Sequence, residues 1–170
     1  MKSIAVYCCS IVVMTATLCL AQDSLPVAPA SNRVLFVSDK TDKPAKFFMD
    51  AFTEELTAAG VTFSGNAVDA KSMIDDMPYA TILVYSQVMA FNNISPVSAW
   101  VKAQKSLKGI RLFIFVTANR WFYESRRKKL GKLVKERGGE VVDAVTMATN
   151  KMTAEGKRKA VRKMVNKVAE

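Results

Sequence analysis

The chain alternates between two hydrophobic periods. Arg33-Val34-Leu35-Phe36-Val37-Ser38 is a continuous apolar run, the pattern of a strand buried on both faces. From Lys43 to Gly60 the spacing becomes helical: Phe48, Ala51, Phe52, Leu56 and Ala59 share one face, and Gly60 stands where a helix C-cap is expected. Val61 to Ser64 predicts a brief second strand, Ala70 to Asp76 a short helix, and Ala80 to Tyr85 a third strand. Ser95-Pro96 is an N-cap and N1 pair, opening a helix that turns Val97, Trp100 and Val101 inward. Ile110 to Thr117 is the strongest strand pattern in the chain. Tyr123 to Arg137 is helical, with Leu130, Leu133 and Val134 on one side and Gly138-Gly139 closing it. Glu140 to Thr146 supplies a fifth strand. A last helix, Thr153 to Ala169, places Val161, Met164, Val165 and Val168 on one face.

Five strands alternating with about five helices predict right-handed βαβ crossovers and an α/β, three-layer fold around a mainly parallel sheet. Ligands of such sheets sit outside the C-terminal strand ends, where the strand order switches. The loops after strands one, three and four are therefore the candidate site: Ser38 to Lys43, Tyr85 to Ser95 and Thr117 to Phe122.

The first 32 residues have neither period. Met1-Lys2 is a basic start, Ile4 to Ala21 carries no charge, and Cys19-Leu20-Ala21 ends the stretch on a small residue. That is the pattern of a secretory signal peptide over 1–21, cleaved after Ala21; the competing reading is a retained membrane anchor. Leu25 to Asn32, with Pro26 and Pro29, reads as the end of a flexible tether over 22–32, and the folded domain is expected over 33–170. The protein is thus expected to be exported: periplasmic, cell-envelope associated or secreted.

Composition then narrows the chemistry. The 170 residues include no histidine, and the three cysteines are Cys8, Cys9 and Cys19, all within the expected signal peptide. Residues 22–170 hold neither imidazole nor thiol. Ser-His-Asp and Cys-His nucleophile pairs and His-liganded metals are excluded. No catalytic side chain stands out, and any redox role must reside in a bound cofactor.

Tyr79 to Ala90, followed by Ile94, Val97 and Trp100-Val101, resembles the third strand, the flavin-side loop and the next helix of flavodoxin-like proteins. Leu107-Lys108-Gly109-Ile110 leading into Phe113 to Ala118, and Gly138-Gly139-Glu140-Val141-Val142, resemble the fourth strand with its loop and the lead-in to the fifth. The resemblance covers nearly all of residues 22–170. It implies a five-stranded parallel sheet of order 2-1-3-4-5 and a bound FMN, with its phosphate in the first loop and its ring between the other two. Carried onto this chain, it implies phosphate contacts at Ser38 and Thr41 and ring contacts at Met89 and Trp121. Tyr85, Ser86, Phe91, Asn92, Thr117 and Asn119 complete the flavin side; Trp121, Phe122 and Tyr123 form an aromatic cluster at the end of the fourth strand, and the competing reading is that Trp121 and Phe122 simply seat the next helix. The first loop departs from the family, having no glycine from Ser38 to Pro44 and two aspartates, Asp39 and Asp42, that would repel a dianion. Lys40, Lys43 and Lys46 are the available positive field, against the competing reading of a solvated turn.

Charge is divided unevenly. The net charge of +10 combines +1 from Lys2, −4 over residues 22–100 and +13 over residues 101–170. Arg126 to Lys129, Lys132 and Lys135 lie on one predicted helix, and Lys157 to Lys159, Arg162, Lys163 and Lys167 on the last. Together they are expected to form one basic face, fit for an acidic redox partner or an anionic envelope surface, or simply solvated. No nucleic-acid motif is present. The leading reading is an exported electron-transfer protein with FMN. A flavin-free binding module for an anionic ligand and a flavin-dependent reductase are the alternatives.

Overall fold

A computed structural model describes residues 33–39, 43–67, 79–88 and 95–170. The apolar runs pair into one parallel sheet of five strands: β1 (Arg33–Ser38), β2 (Thr62–Ala67), β3 (Thr81–Val88), β4 (Arg111–Ala118) and β5 (Glu140–Ala148). Its order is β2-β1-β3-β4-β5, as expected. Between and after the strands run α1 (Lys43–Ala58), α2 (Pro96–Ala103), α3 (Tyr123–Glu136) and α4 (Ala154–Ala169). The short helix expected over Ala70 to Asp76 lies outside the described residues.

The continuous runs resolve into two period-two sets, because successive side chains leave a strand on opposite faces. In β4, Leu112, Ile114 and Val116 face α2 and α3, while Phe113 and Phe115 face α1 and α4. The α1–α4 side is a phenylalanine cluster: Phe52 meets Phe36 at 5.3 Å between ring centroids and Phe115 edge-on at 5.2 Å. The other side is built from branched aliphatics around Trp100. Deleting a fully buried ring such as Phe52 removes about 3–5 kcal/mol.

The helix ends obey their chemistry. Ser95 Oγ accepts from the Ser98 amide at 3.1 Å, the N-cap read from Ser95-Pro96. Thr153 caps α4 in the same way through Gly156. Gly138 takes the left-handed conformation (φ 79°) that ends α3. Gly139 is there for another reason: a Cβ would lie 2.9 Å from both Leu112 Cδ1 and Val134 Cγ1, so α3 and β4 close on its bare backbone.

The single basic face expected from the sequence does not form. α3 crosses from β4 to β5 on one side of the sheet, whereas α4, the last element, packs beside α1 on the other. Part of α4's charge is also answered by acidic residues. Arg162 grips the Glu55 carboxylate through Nε and Nη2, at 2.9 Å in its shortest contact; Arg158 pairs with Glu54 and Lys167 with Asp143. Among the described residues no helix is long and apolar enough to cross a membrane.

Candidate functional site

Strand order reverses direction between β1 and β3, so the crevice lies beyond Ser38, Val88 and Ala118. At its base is an arrangement that the sequence pattern does not announce. Asp39, one residue past β1, is buried, and its backbone N–H donates to Tyr85 O at 3.2 Å. Its carboxylate turns into the protein. Oδ1 accepts from Ser95 Oγ at 2.8 Å and from the Val97 amide at 2.9 Å, and Oδ2 accepts from Ser86 Oγ. The Ser95 hydroxyl gives its one proton to Asp39 and takes the Ser98 amide on a lone pair, so both of its roles are used. A carboxylate that would be costly to bury alone is thus held by three donors at the N-terminus of α2. This corrects the expected repulsion: the Asp39 charge is taken up inside and is not presented to an anion in the first loop.

Two further expectations change for the same reason of strand parity. Tyr85, expected as a flat wall for a ring, lies on the α1 side of β3 and is fully buried in the core, 5.4 Å from the Phe48 ring. Its hydroxyl and that of Thr117, 3.0 Å apart, satisfy each other beneath the strand ends. Ser86 falls on the opposite face and serves Asp39. Ser38 is fully enclosed at the end of β1. Lys40 and Thr41, and Met89, Phe91 and Asn92 of the second loop, lie outside the described residues.

What the crevice does expose comes from the first turn of α1 and the loop after β4. Lys43 opens α1 and is exposed, and the first turn holds no acidic residue. Lys46, one turn on, is paired with Asp50 at 3.0 Å. After β4, Trp121 and Phe122 are each 68 % exposed, the largest apolar side chains so placed among the described residues. Phe122 has φ 68°, the one non-glycine residue with positive φ among those described. A bulky side chain in that region is strained. The loop's backbone is nonetheless held: the Thr149 amide and hydroxyl donate to Ala118 O at 2.8 and 3.0 Å, and the Asn150 amide donates to Asn119 O at 3.2 Å. Just beyond, the Glu124 carboxyl is pulled below its ordinary range, first by the hydrogen bond from Thr146 and then by that from Arg127.

The site therefore divides. Of the sequence-derived residues the structure brings Ser38, Tyr85, Ser86, Thr117, Asn119 and Trp121 to one end of the sheet, but Tyr85, Ser86 and Thr117 are engaged internally. Asp39, Ser95 and Val97 were missed, since nothing local in the sequence tells that residues so far apart share a hydrogen-bond centre. Phe122 was read as one of an aromatic cluster that could equally seat the next helix, and its left-handed backbone was not foreseen.

No family model matches the chain, and neither does any curated protein. Solved structures do. A flavodoxin of Streptococcus pneumoniae TIGR4 superposes with a TM-score of 0.64 at 11 % identity, over 81 % of this chain and 97 % of that one. Oxidised Flavodoxin 2 from Bacillus cereus gives 0.63 at 12 %, over 79 % and 98 %. Two-electron reduced Megasphaera elsdenii flavodoxin gives 0.54 at 13 %, over 78 % and 98 %. With the strand order 2-1-3-4-5 and helices on both layers, these superpositions establish that the chain has the flavodoxin-like fold.

Proposed function

We propose that the chain binds FMN across the C-terminal end of its sheet and exchanges electrons with an acidic partner after export and removal of residues 1–21. The observation that carries this reading is the exposed Trp121–Phe122 pair beside the switch in strand order, with Phe122 held in a left-handed conformation. Backbone strain of this kind concentrates at ligand and catalytic sites. Two exposed rings at such a crevice suit a flat, aromatic ligand.

The residues present fit the two ends of the cofactor. At the phosphate end, the withdrawn Asp39 carboxylate leaves the positive end of the α1 dipole and Lys43 to meet an anion, with Lys40 and Thr41 proposed as further contacts. At the ring end, Trp121 is proposed to stack and Asn119 to hydrogen-bond, with Met89, Phe91 and Asn92, which follow β3 in the chain, proposed as further contacts. A bound flavin supplies the one- and two-electron chemistry that residues 22–170, lacking thiol and imidazole, do not. The chain's own part is to hold the ring, exclude water from one face and offer the other to a partner. The structural neighbours described as oxidised and as two-electron reduced flavodoxins support the redox reading.

Titrating purified residues 22–170 with FMN tests it. Saturable quenching of flavin fluorescence at micromolar concentration is expected, and none would sink the proposal. The absence of glycine from Ser38 to Pro44 favours a second reading, a flavin-free module for an anionic ligand. That reading requires a colourless protein whose anion binding weakens with salt.

A further inference from the structure

A second site lies away from the crevice, on the α2–α3 side of the sheet. Between α3 and β5 runs a groove of about 680 Å³, within the range of small-molecule sites. Its floor is apolar: Ile114 of β4 with Val141 and Ala144 of β5. Its α3 wall opens at Gly131, where an added Cβ would meet nothing within 4 Å. Glycine is the poorest helix former after proline, and here it sits in the middle of a 14-residue helix with no turn, strain or close neighbour to require it. A groove that must stay open accounts for it.

The rim is cationic. Arg127, Lys128, Lys132 and Lys135 line it, against one carboxylate, Glu136. Arg127 is held by Glu124 at 2.8 Å and Lys132 reaches Glu136 only at 3.8 Å. Lys128 and Lys135 carry no ion pair among the described residues. A small polar anion would leave the floor wetted, and a neutral hydrocarbon would leave the lysines without a partner. A molecule with both an apolar tail and an anionic head answers floor and rim together.

We propose that this groove binds a single long-chain carboxylate of the fatty-acid type, its alkyl chain over Gly131 on Val141 and Ala144 and its head on the rim lysines. The bound form is the free monomer and not a bilayer. α3 buries its own apolar stripe, Leu130, Leu133 and Val134, in the core, so the helix has a recess to receive a chain and no apolar face to insert into a membrane.

Oleate below its micellar concentration, displacing a fluorescent fatty acid from residues 22–170, is the probe. One saturable site is expected, weakened at least tenfold in Lys128→Glu/Lys135→Glu. Gly131→Leu fills the recess and is expected to block binding while its thermal midpoint stays level or rises, which separates a lost site from a lost fold. FMN titration should be unaltered in both variants, so the flavin reading and this one fail separately. No saturable oleate binding, equal affinity for oleyl alcohol, or equal affinity in the variants would each overturn the proposal. So would capture by phosphatidylglycerol vesicles or by a glutamate-rich peptide in place of oleate.

Discussion

The amide of Val97, in the first turn of α2, donates a 2.9 Å hydrogen bond to Oδ1 of Asp39, 58 residues earlier at the end of β1. The same carboxylate holds Ser95 and, on β3, Ser86. One buried charge thus joins the two strands that flank the switch in strand order to the helix after them. It acts where a helix N-terminus otherwise leaves amides without partners.

Replacing Asp39 should therefore cost more than replacing a surface aspartate. Asp39→Ala strands the Val97 amide and two hydroxyls, and hydrogen bonds to a charged group contribute about 1.5–3 kcal/mol each, so a loss of about 3 kcal/mol is expected. Asp39→Asn keeps one accepting oxygen but turns an amino group toward a donor, and should lose roughly half as much. Urea unfolding measures both. Midpoints equal to wild type would show that the carboxylate does not hold these elements together.

The bidentate Arg162–Glu55 pair ties α4 to α1, and the Glu55 side chain is only 14 % exposed. The hydrogen bond from Arg162 draws the Glu55 carboxyl below its usual 4.5, against the opposing effect of burial, and the charges of Arg162 and Arg158 lower it further. A carboxyl lowered in the folded state adds stability that is complete above its unfolded value. That contribution fades as the pH falls from 4.5 toward the folded value, because the unfolded chain takes the proton first. Glu55→Gln should be less stable at neutral pH and should flatten the acid limb of a stability-against-pH curve. An unchanged acid limb would count against the pair.

Most of the fold was legible because it rests on periodicity. The Arg33–Ser38 strand coincides with β1, and the boundaries of α3 and α4 lie within a residue of expectation. β2, β3 and β5 each run two or three residues further than the stretches read from the pattern, since parallel pairing continues through the polar residues that interrupt the apolar run. The site was less legible. Whether Tyr85 lines a crevice or fills a core depends on one residue of strand parity. The face occupied by α4 is not fixed by a crossover, as that of α3 is by its passage from β4 to β5, and so its own periodicity could not reveal it. Asp39 shows the limit most plainly: its charge looked repulsive because its partners, Ser86, Ser95 and Val97, are far from it along the chain.

Two glycines, one inside α3 and one just past its end, should respond oppositely to a methyl group. Gly139→Ala forces that methyl to within 3 Å of Leu112, Val134 and Leu107 and should destabilise by about 1–3 kcal/mol, as overpacking does. Gly131→Ala meets nothing and removes a helix-interior glycine, so it should stabilise by about 1 kcal/mol. Thermal unfolding of the pair checks both signs. A stabilising Gly139→Ala would mean that α3 and β4 do not close on the glycine backbone.

Phe122 and Trp121 separate a structural from a functional account of the loop after β4. A left-handed phenylalanine costs about 1–2 kcal/mol relative to a glycine free of the Cβ clash. If its ring, 68 % exposed, gains nothing from packing, Phe122→Gly should raise stability by up to about 1 kcal/mol. Trp121→Ala removes an equally exposed ring and should move stability by no more than about 0.5 kcal/mol. Both substitutions should weaken FMN binding about tenfold, equivalent to about 1.4 kcal/mol and within the range of an aromatic stack with its buried area. Binding lost while stability holds or rises is the mark of residues kept for a ligand. Should Phe122→Gly destabilise the protein and leave FMN affinity unchanged, the strained ring belongs to the fold, and Trp121 alone remains to carry the flavin reading.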